Sequence, residues 1–398
     1  MKLLSVDEAR ARMLASVAPL SAEAVPLGRA IGRALAADVV AWRDQPPFAA
    51  SAMDGWAVRA ADCPGNLQVV GESAAGHGFA GAIGEGEAVR IFTGAAVPPG
   101  ADAVIVQEDA RREGDRVVVP AVSEPRHIRP PGQDFRAGER LLVAGTRLDP
   151  WRLSLAAAAG LGEVQAARRP RVAILSTGEE IVEPGAAPGP FQIFNSGTTA
   201  LAALVSTWGG EAVALAAVGD DAAATAAAVA DAACDLAVTI GGASVGDHDL
   251  VKPALASLGL TLVVESVAVR PGKPTWFGAL ADGRSVLGLP GNPASALVCA
   301  ELFLRSLLAA LQGADRRLRL VPARAAVALP ANGAREHWPR ARLEHAADGV
   351  LLATPFPDQD SSLVAVFAQA DALIRRPAGA PAAAAGDRLE ILALERLS

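Results

Sequence analysis

The chain has 398 residues, 51% hydrophobic and 20% charged, with Lys+Arg 36 against Asp+Glu 43 and a formal net charge of -7. At roughly 100–200 residues per domain this length holds two to four domains, each able to bury a core without staples, and the acidic balance excludes a protein that coats nucleic acid by bulk charge. Cys63, Cys234 and Cys299 form no CxxC pair, which argues against a disulfide framework or structural zinc site and suits a reducing, cytoplasmic setting.

Ser5-Val6-Asp7-Glu8 is a capping box opening a helix to about residue 17, with Leu4, Ala9, Met13 and Val17 facing a core. No continuous apolar region marks a signal peptide. No apolar stretch approaches the roughly 20 residues of a membrane helix without a charge, Gly or Pro. A second short helix is expected over 28–35, followed by an extended 38–42. Asp44-Gln45-Pro46-Pro47-Phe48 cannot be helical, because two prolines remove donors and hold the chain extended. From about 57 to 143, short β-type runs (67–70, 88–92, 103–107, 116–119) alternate with Gly/Pro turns, the pattern of a small all-β domain. A helix over 151–159 ends at Gly160.

The rhythm changes at Arg171. Strands over 172–175, 212–218, 236–240, 262–269 and 286–289 alternate with helices over 196–208, 222–233, 250–258 and 294–311. Such alternation indicates a parallel sheet with helices on both faces. Beyond about 320 only β-type runs occur, at 321–329, 340–345, 350–355, 372–375 and 389–394, with a low-complexity loop at 377–386.

In α/β folds, sites form at the carboxyl ends of strands. Five such ends carry Ser176-Thr177-Gly178-Glu179-Glu180, Gly219-Asp220-Asp221, Gly241-Gly242-Ala243-Ser244-Val245-Gly246-Asp247-His248-Asp249, Arg270-Pro271-Gly272-Lys273-Pro274 and Pro290-Gly291-Asn292-Pro293. Small residues let backbone N–H groups approach an anion. Carboxylates share Mg²⁺ with water and substrate phosphate, and Arg270 and Lys273 can neutralise a phosphate or oxyanion. Together they describe a site for a phosphorylated small molecule with a divalent metal. Each piece also has a plainer reading: Asp220-Asp221 as the N-cap of the following helix, Glu179-Glu180 as a solvated loop, Pro290-Gly291-Asn292-Pro293 as a turn.

Gly242-Ala243-Ser244-Val245-Gly246 matches the nucleophile elbow of serine hydrolases. An elbow runs straight into a helix, whereas Asp247-His248-Asp249 intervenes, and the later histidines, His337 and His345, sit in the β-type region. Upstream, Ser51-Ala52-Met53-Asp54-Gly55-Trp56-Ala57 places a carboxylate beside Gly after a stiff segment, suited either to a cleft or to a β-turn.

These blocks carry a resemblance. Pro46-Pro47-Phe48 with Ser51–Ala57, Phe92-Thr93-Gly94-Ala95, Pro131-Gly132-Gln133-Asp134, Ser176–Glu180, Gly241–Gly246 with Asp249, Arg270–Pro274 and Pro290–Ser295 are similar, in order, to the molybdopterin molybdenumtransferases, the MoeA family, which includes the E domain of gephyrin. The resemblance implies insertion of molybdenum from molybdate into adenylylated molybdopterin, with Mg²⁺ and release of AMP. It implies catalytic roles for Asp54, Glu180, Asp249 and Lys273, with Glu180 and Asp249 at the metal. It implies substrate contacts from Thr93, Asp134, Ser176, Thr177, Gly178, Asp220, Gly241, Gly242, Ser244, Gly246, Arg270, Pro290, Gly291, Asn292, Pro293, Arg340 and Ser361. Gln359-Asp360-Ser361-Ser362 departs from the family's more usual Q-G-S-H, and a Lys often stands where Arg270 does.

The implied fold is multidomain α/β plus β. Its parts are a split N-terminal domain over 1–46 and 138–169, an inserted all-β domain over 47–137, a mostly parallel α/β molybdopterin-binding domain over 170–320 and a C-terminal β-domain over 321–398. The implied assembly is an elongated homodimer whose cleft joins the α/β domain of one subunit to the Asp54 domain of the other. Transient contact with other cofactor-biosynthesis proteins is expected, and neither nucleic acid nor membrane. The alternatives are a molybdopterin adenylyltransferase, which shares only the α/β domain, and a non-catalytic scaffold.

Overall fold

The structure, a computed structural model, describes residues 3–122, 126–242 and 250–395. The first helix, Val6–Ala15, is opened by the expected box: the Glu8 N–H donates to Ser5 Oγ at 3.2 Å and the Ser5 N–H donates to Glu8 Oε2 at 2.9 Å. Its buried residues Val6, Ala9 and Met13 join the core of the central α/β unit. The segment that follows knits to a distant one. Ala22–Pro26 pairs antiparallel with Glu163–Ala167, and Val39–Val40 with Arg140–Leu142, around Val25, Leu35, Leu148 and Val164. The helix expected over 28–35 is only a 3-10 turn, Leu27–Arg29. Gly32 adopts φ 72°, and the Gly32 and Leu35 N–H groups donate to Leu148 and Thr146 carbonyls, so pairing with a remote strand wins over local helix propensity.

Between these segments lies a six-stranded sheet in the order Ala103–Val106, Gly55–Val58, Glu87–Ile91, Gly65–Ser73, Arg116–Val119, Arg111–Glu113. It is antiparallel except where Gly65–Ser73 meets Glu87–Ile91.

The central sheet runs Glu211–Ala214, Arg171–Ser176, Leu236–Ile240, Ser285–Leu289, Trp276–Ala279, Thr261–Val264. The first four strands are parallel and the last two antiparallel. The single strand expected over 262–269 is therefore two short ones, Thr261–Val264 and Val269–Arg270, and Trp276–Ala279 was not expected. Alternation sorts the strands between two cores. Leu236, Val238 and Ile240 face Leu201, Val205 and the long apolar helix, while Ala237 faces Val229, Val251 and Leu255. That long helix, Pro293–Leu311, contains a π-helical stretch, Ala300–Leu304. Interrupted by Glu301 and Arg305, it is nonetheless long and apolar enough to cross a membrane by length and composition, yet 89% of its most apolar 18-residue window is buried inside the protein as a core helix.

The last unit is a closed barrel in the order Leu320–Ala325, Leu351–Pro355, Arg340–His345, Ala372–Arg375, Arg388–Ala393. Its interior is dominated by alanine with Ile374, Leu389 and Ile391, small enough for so narrow a barrel. A helix absent from the sequence reading, Val364–Gln369, lies beside it. Val269–Arg270 pairs parallel with Glu336–His337 and so brings the barrel to the strand-end loops.

Candidate functional site

Two adjoining clefts occupy the carboxyl edge of the central sheet. The first, about 870 Å³, is lined by Ser176, Thr177, Gly178, Glu180, Asp220, Gly241, Gly242 and the run 290–293. The second, about 810 Å³, lies between this edge and the barrel and is lined by Arg270, Lys273, Arg335, His337, Arg376 and Ser361 among others. Pro274 lines both. Asn292 Nδ2 donates to Ser361 Oγ at 2.8 Å, and the Ala294 N–H donates to the Ser361 carbonyl at 3.0 Å, fastening the barrel's loop to the sheet edge.

In the first cleft the glycines answer a steric need. At Gly178, φ is 134° and a Cβ would sit 2.4 Å from Glu180 Oε2; at Gly241, φ is 95° and a Cβ would meet the Thr177 carbonyl oxygen at 2.7 Å. Glu180 is exposed and its carboxylate has no ion-pair partner among the described residues. The Asp220-Asp221 pair divides its labour. Asp221 Oδ1 accepts from the Ala223 and Ala224 N–H groups at 2.8 and 3.0 Å and caps helix Ala222–Asp231, while Asp220 lines the cleft. Ser176 is turned inward: its buried hydroxyl donates to Asn195 Oδ1 at 3.1 Å and shares a 2.8 Å bond with Thr198 Oγ1. Asn195 in turn caps helix Ser196–Thr207, so this serine's side chain anchors a helix start. Ser244, Gly246 and Asp249 lie outside the described residues.

The second cleft is cationic. Arg270 and Lys273 are exposed and without an ion-pair partner among the described residues. Burial, reinforced by Arg270, Arg335, Arg340 and Arg376, pushes the His337 imidazole down to about 4, so it is neutral near pH 7. Arg340, expected at the substrate, is 1% exposed and lines neither cleft. Its N–H groups are spent on Gln359 Oε1 at 3.2 Å and on the Leu363 and Asp360 carbonyls at 3.0 and 2.9 Å. It shapes the loop that presents Ser361. Ser362 holds Asp360 in its charged form by side-chain and backbone hydrogen bonds, which lower that carboxyl below its usual range. Arg335, Asp358 and Arg376 carry no motif in the sequence, and His337 stood out there only as a late histidine, because the barrel contributes all four from positions remote in the chain.

The remaining expected residues gather elsewhere. At one end of the inserted sheet, Asp54 Oδ1 accepts from the Thr93 N–H at 2.7 Å and from its hydroxyl at 2.8 Å, which lowers the Asp54 carboxyl. Gly94 and Asp134 line a separate pocket of about 550 Å³ with Pro46, Pro47 and Phe48. No described residue before Ser176 lines either large cleft.

Among the described residues no group of three or more His, Cys, Asp or Glu side chains could hold a metal by itself. The hard oxygens of Glu180 and Asp220 fit an ion that takes one or two protein carboxylates and completes its shell with water and phosphate, as Mg²⁺ does. The space Gly178 leaves at the Glu180 carboxylate fits the same use.

The carboxyl edge of the mixed α/β sheet thus gathers carboxylates, open glycines and two neighbouring cations, faced by a barrel, where ligands bind in such folds. Family models match the MoeA N-terminal region at 4–160, the probable molybdopterin binding domain at 173–310 and the MoeA C-terminal region at 322–394. The chain belongs to the MoeA family. Similar relatives include molybdopterin molybdenumtransferase 2 of Mycobacterium tuberculosis, 37% identical over 96% of each chain. Molybdopterin molybdenumtransferase of Synechococcus elongatus is 36% identical over 98% of this chain and 100% of its own. The crystal structure of a molybdopterin biosynthesis MoeA protein from Pyrococcus horikosii superposes with a TM-score of 0.85 at 30% identity, covering 100% of both chains.

Proposed function

We propose that this chain is a molybdopterin molybdenumtransferase, inserting molybdenum from molybdate into adenylylated molybdopterin with release of AMP. The observation that carries the reading is the junction of the two clefts at Pro274 and at the Asn292–Ser361 hydrogen bond. One ligand can span both, its phosphates beside the carboxylates and glycines and the incoming oxyanion beside the cations. Gly178, Gly241, Gly242 and Gly291 let the ligand approach backbone N–H groups. Thr177, Asn292 and the prolines Pro290 and Pro293 shape the wall. Glu180, Asp220 and Asp249 would hold Mg²⁺ through water and substrate oxygens. When bound, Mg²⁺ neutralises charge on the phosphoanhydride oxygens. Arg270 and Lys273 hold the oxyanion, Ser361 donates to it, and Arg340 fixes Ser361 in place.

Asp54, with Thr93 and Asp134, would complete the site from a second subunit of a homodimer. That geometry suits their distance in the fold from both clefts. The domain division proposed is 1–46 with 138–169, then 47–137, 170–320 and 321–398. A cytoplasmic location follows from the same reading. The test is AMP release by purified protein from adenylylated molybdopterin with and without molybdate, and with and without Mg²⁺. Molybdate-stimulated, Mg²⁺-dependent release supports the reading. Consumption of ATP with unmodified molybdopterin points to the adenylyltransferase, and no release points to a scaffold.

A further inference from the structure

Away from both clefts a groove of about 540 Å³ runs where the end of helix Arg305–Leu311, the segment 313–319, the turn 143–147 and the barrel's last strand meet. Its walls carry Arg147, Arg152, Arg305, Arg316, Arg317 and Arg319. The chain as a whole carries -7, so this concentration is local and not a by-product of a basic surface.

Partner by partner, the six cations divide into two groups. Arg152 meets Asp149 at 3.0 Å and Arg317 meets Asp315 at 2.9 Å. Arg305 is held by Glu301 at 3.3 Å and by Glu395, and lies over Trp208. Arg147 forms no ion pair among the described residues; it donates to the Gly32 carbonyl at 2.6 Å and the Trp208 carbonyl at 3.2 Å. Arg316 and Arg319 are exposed, and their side chains have neither hydrogen bond nor ion pair among the described residues. Three guanidiniums without a direct ion pair among the described residues thus line one groove, with Glu395 and Asp315 acting on Arg147 and Arg319 only at longer range. Burial lowers the Arg147 guanidinium below its ordinary value, and Arg305, Arg169 and Arg319 lower it further against the pull of Glu395. A multivalent anion would relieve that repulsion.

We propose that this groove is a second anion site, taking a small molecule with two or more phosphate groups. Guanidinium forks match phosphate oxygens two at a time, and the volume is that of a small-ligand pocket. Trp208 is 5% exposed, so the groove offers no aromatic face on which a base could stack. Recognition rests on the phosphates. Occupancy ties the central helix to the turn 143–147 and the barrel's last strand.

The probe is inorganic pyrophosphate, titrated calorimetrically into the full chain at low ionic strength, where exposed charges are least screened. Two classes of binding site are expected. Lys273→Ala weakens the cleft class and leaves the groove class. Arg316→Gln/Arg319→Gln weakens the groove class at least about tenfold and leaves the cleft class, while Arg316→Lys/Arg319→Lys, which keeps the charge but loses the forks, weakens it less than the glutamines do. As a second readout, pyrophosphate raises the melting temperature of Lys273→Ala but not of the protein that also carries both glutamines. Loss of all pyrophosphate binding in Lys273→Ala overturns the proposal. So does wild-type stoichiometry and affinity in the Arg316→Gln/Arg319→Gln protein.

Discussion

Lys273 is one of three lysines in the chain, with Lys2 and Lys252, among 36 Lys+Arg. A chain that otherwise supplies positive charge as arginine sets a compact ammonium beside Arg270, at the mouth of the cationic cleft. Because Lys273 is exposed and unpaired, Lys273→Ala leaves the fold intact. It is expected to weaken the molybdate dependence of turnover about 10–100-fold, the worth of a charge-assisted hydrogen bond. A folded variant with wild-type molybdate dependence removes Lys273 from the site.

Glu301 makes a different kind of prediction. Burial pushes its carboxyl up to about 7 against the pull of Arg305. The unfolded chain gives up that proton near the ordinary value of 4.5, the folded chain near 7. Between those values the folded state holds more protons, so this residue's contribution falls as pH rises through the window and is flat on either side. Glu301→Gln is expected to flatten the slope and to gain on the order of 1–3 kcal/mol at pH 8. Urea unfolding at pH 5 and pH 8 reads this directly, and equal slopes in variant and wild type count against it.

At the scale of elements, the loop 356–363 depends on one guanidinium. Arg340, on the face of its strand opposite the barrel-core residue Ala341, bonds Gln359, Asp360 and Leu363, and Ser361 rides on that frame to reach Asn292. Arg340→Lys keeps the charge but cannot fork to three acceptors, so a loss of about 2 kcal/mol is expected. If Arg340 positions the loop, KM for molybdate rises with kcat nearly constant. A fall in kcat alone would mark a direct role instead.

The same region shows what was legible in the sequence. Strand 236–240 and barrel strands 340–345 and 372–375 stand where apolar pattern and turn residues placed them, because local and tertiary preferences agree there. Trp276–Ala279 was missed: four residues, one a glycine, show no alternation, and its strand identity comes from antiparallel neighbours. Motif order singled out the strand-end loops, but not how each side chain is used. The burial of Ser176 behind Asn195 and of Arg340 beneath the 356–363 loop are set by partners 19 or more residues away, which no local pattern encodes.

Across the whole molecule, one arrangement separates the acidic residues of the proposed site. Asp54 is fixed by Thr93 at the end of the inserted sheet, while Glu180, Asp220 and Lys273 line clefts to which no described residue before Ser176 contributes. If Asp54 acts in catalysis, a second copy of the chain is the simplest source of it, since in a two-fold dimer any contact of one inserted sheet with its partner's cleft would be made twice, reciprocally. Asp54→Asn keeps the hydrogen-bonding shape at Thr93 and removes the charge. Turnover is expected to fall at least about 100-fold with an almost unchanged melting temperature, whereas a turn residue would tolerate Asn. The decisive measurement mixes two impaired proteins, Asp54→Asn and Lys273→Ala, at limiting molybdate and under conditions of subunit exchange. In a mixed dimer both changes fall in one shared site and the other is intact. Random pairing of equal amounts therefore restores about a quarter of wild-type activity. Recovery near that level places Asp54 in its partner's cleft. No recovery in dimers shown to have exchanged rejects the shared site, and wild-type turnover by a folded Asp54→Asn protein would falsify any catalytic role for Asp54.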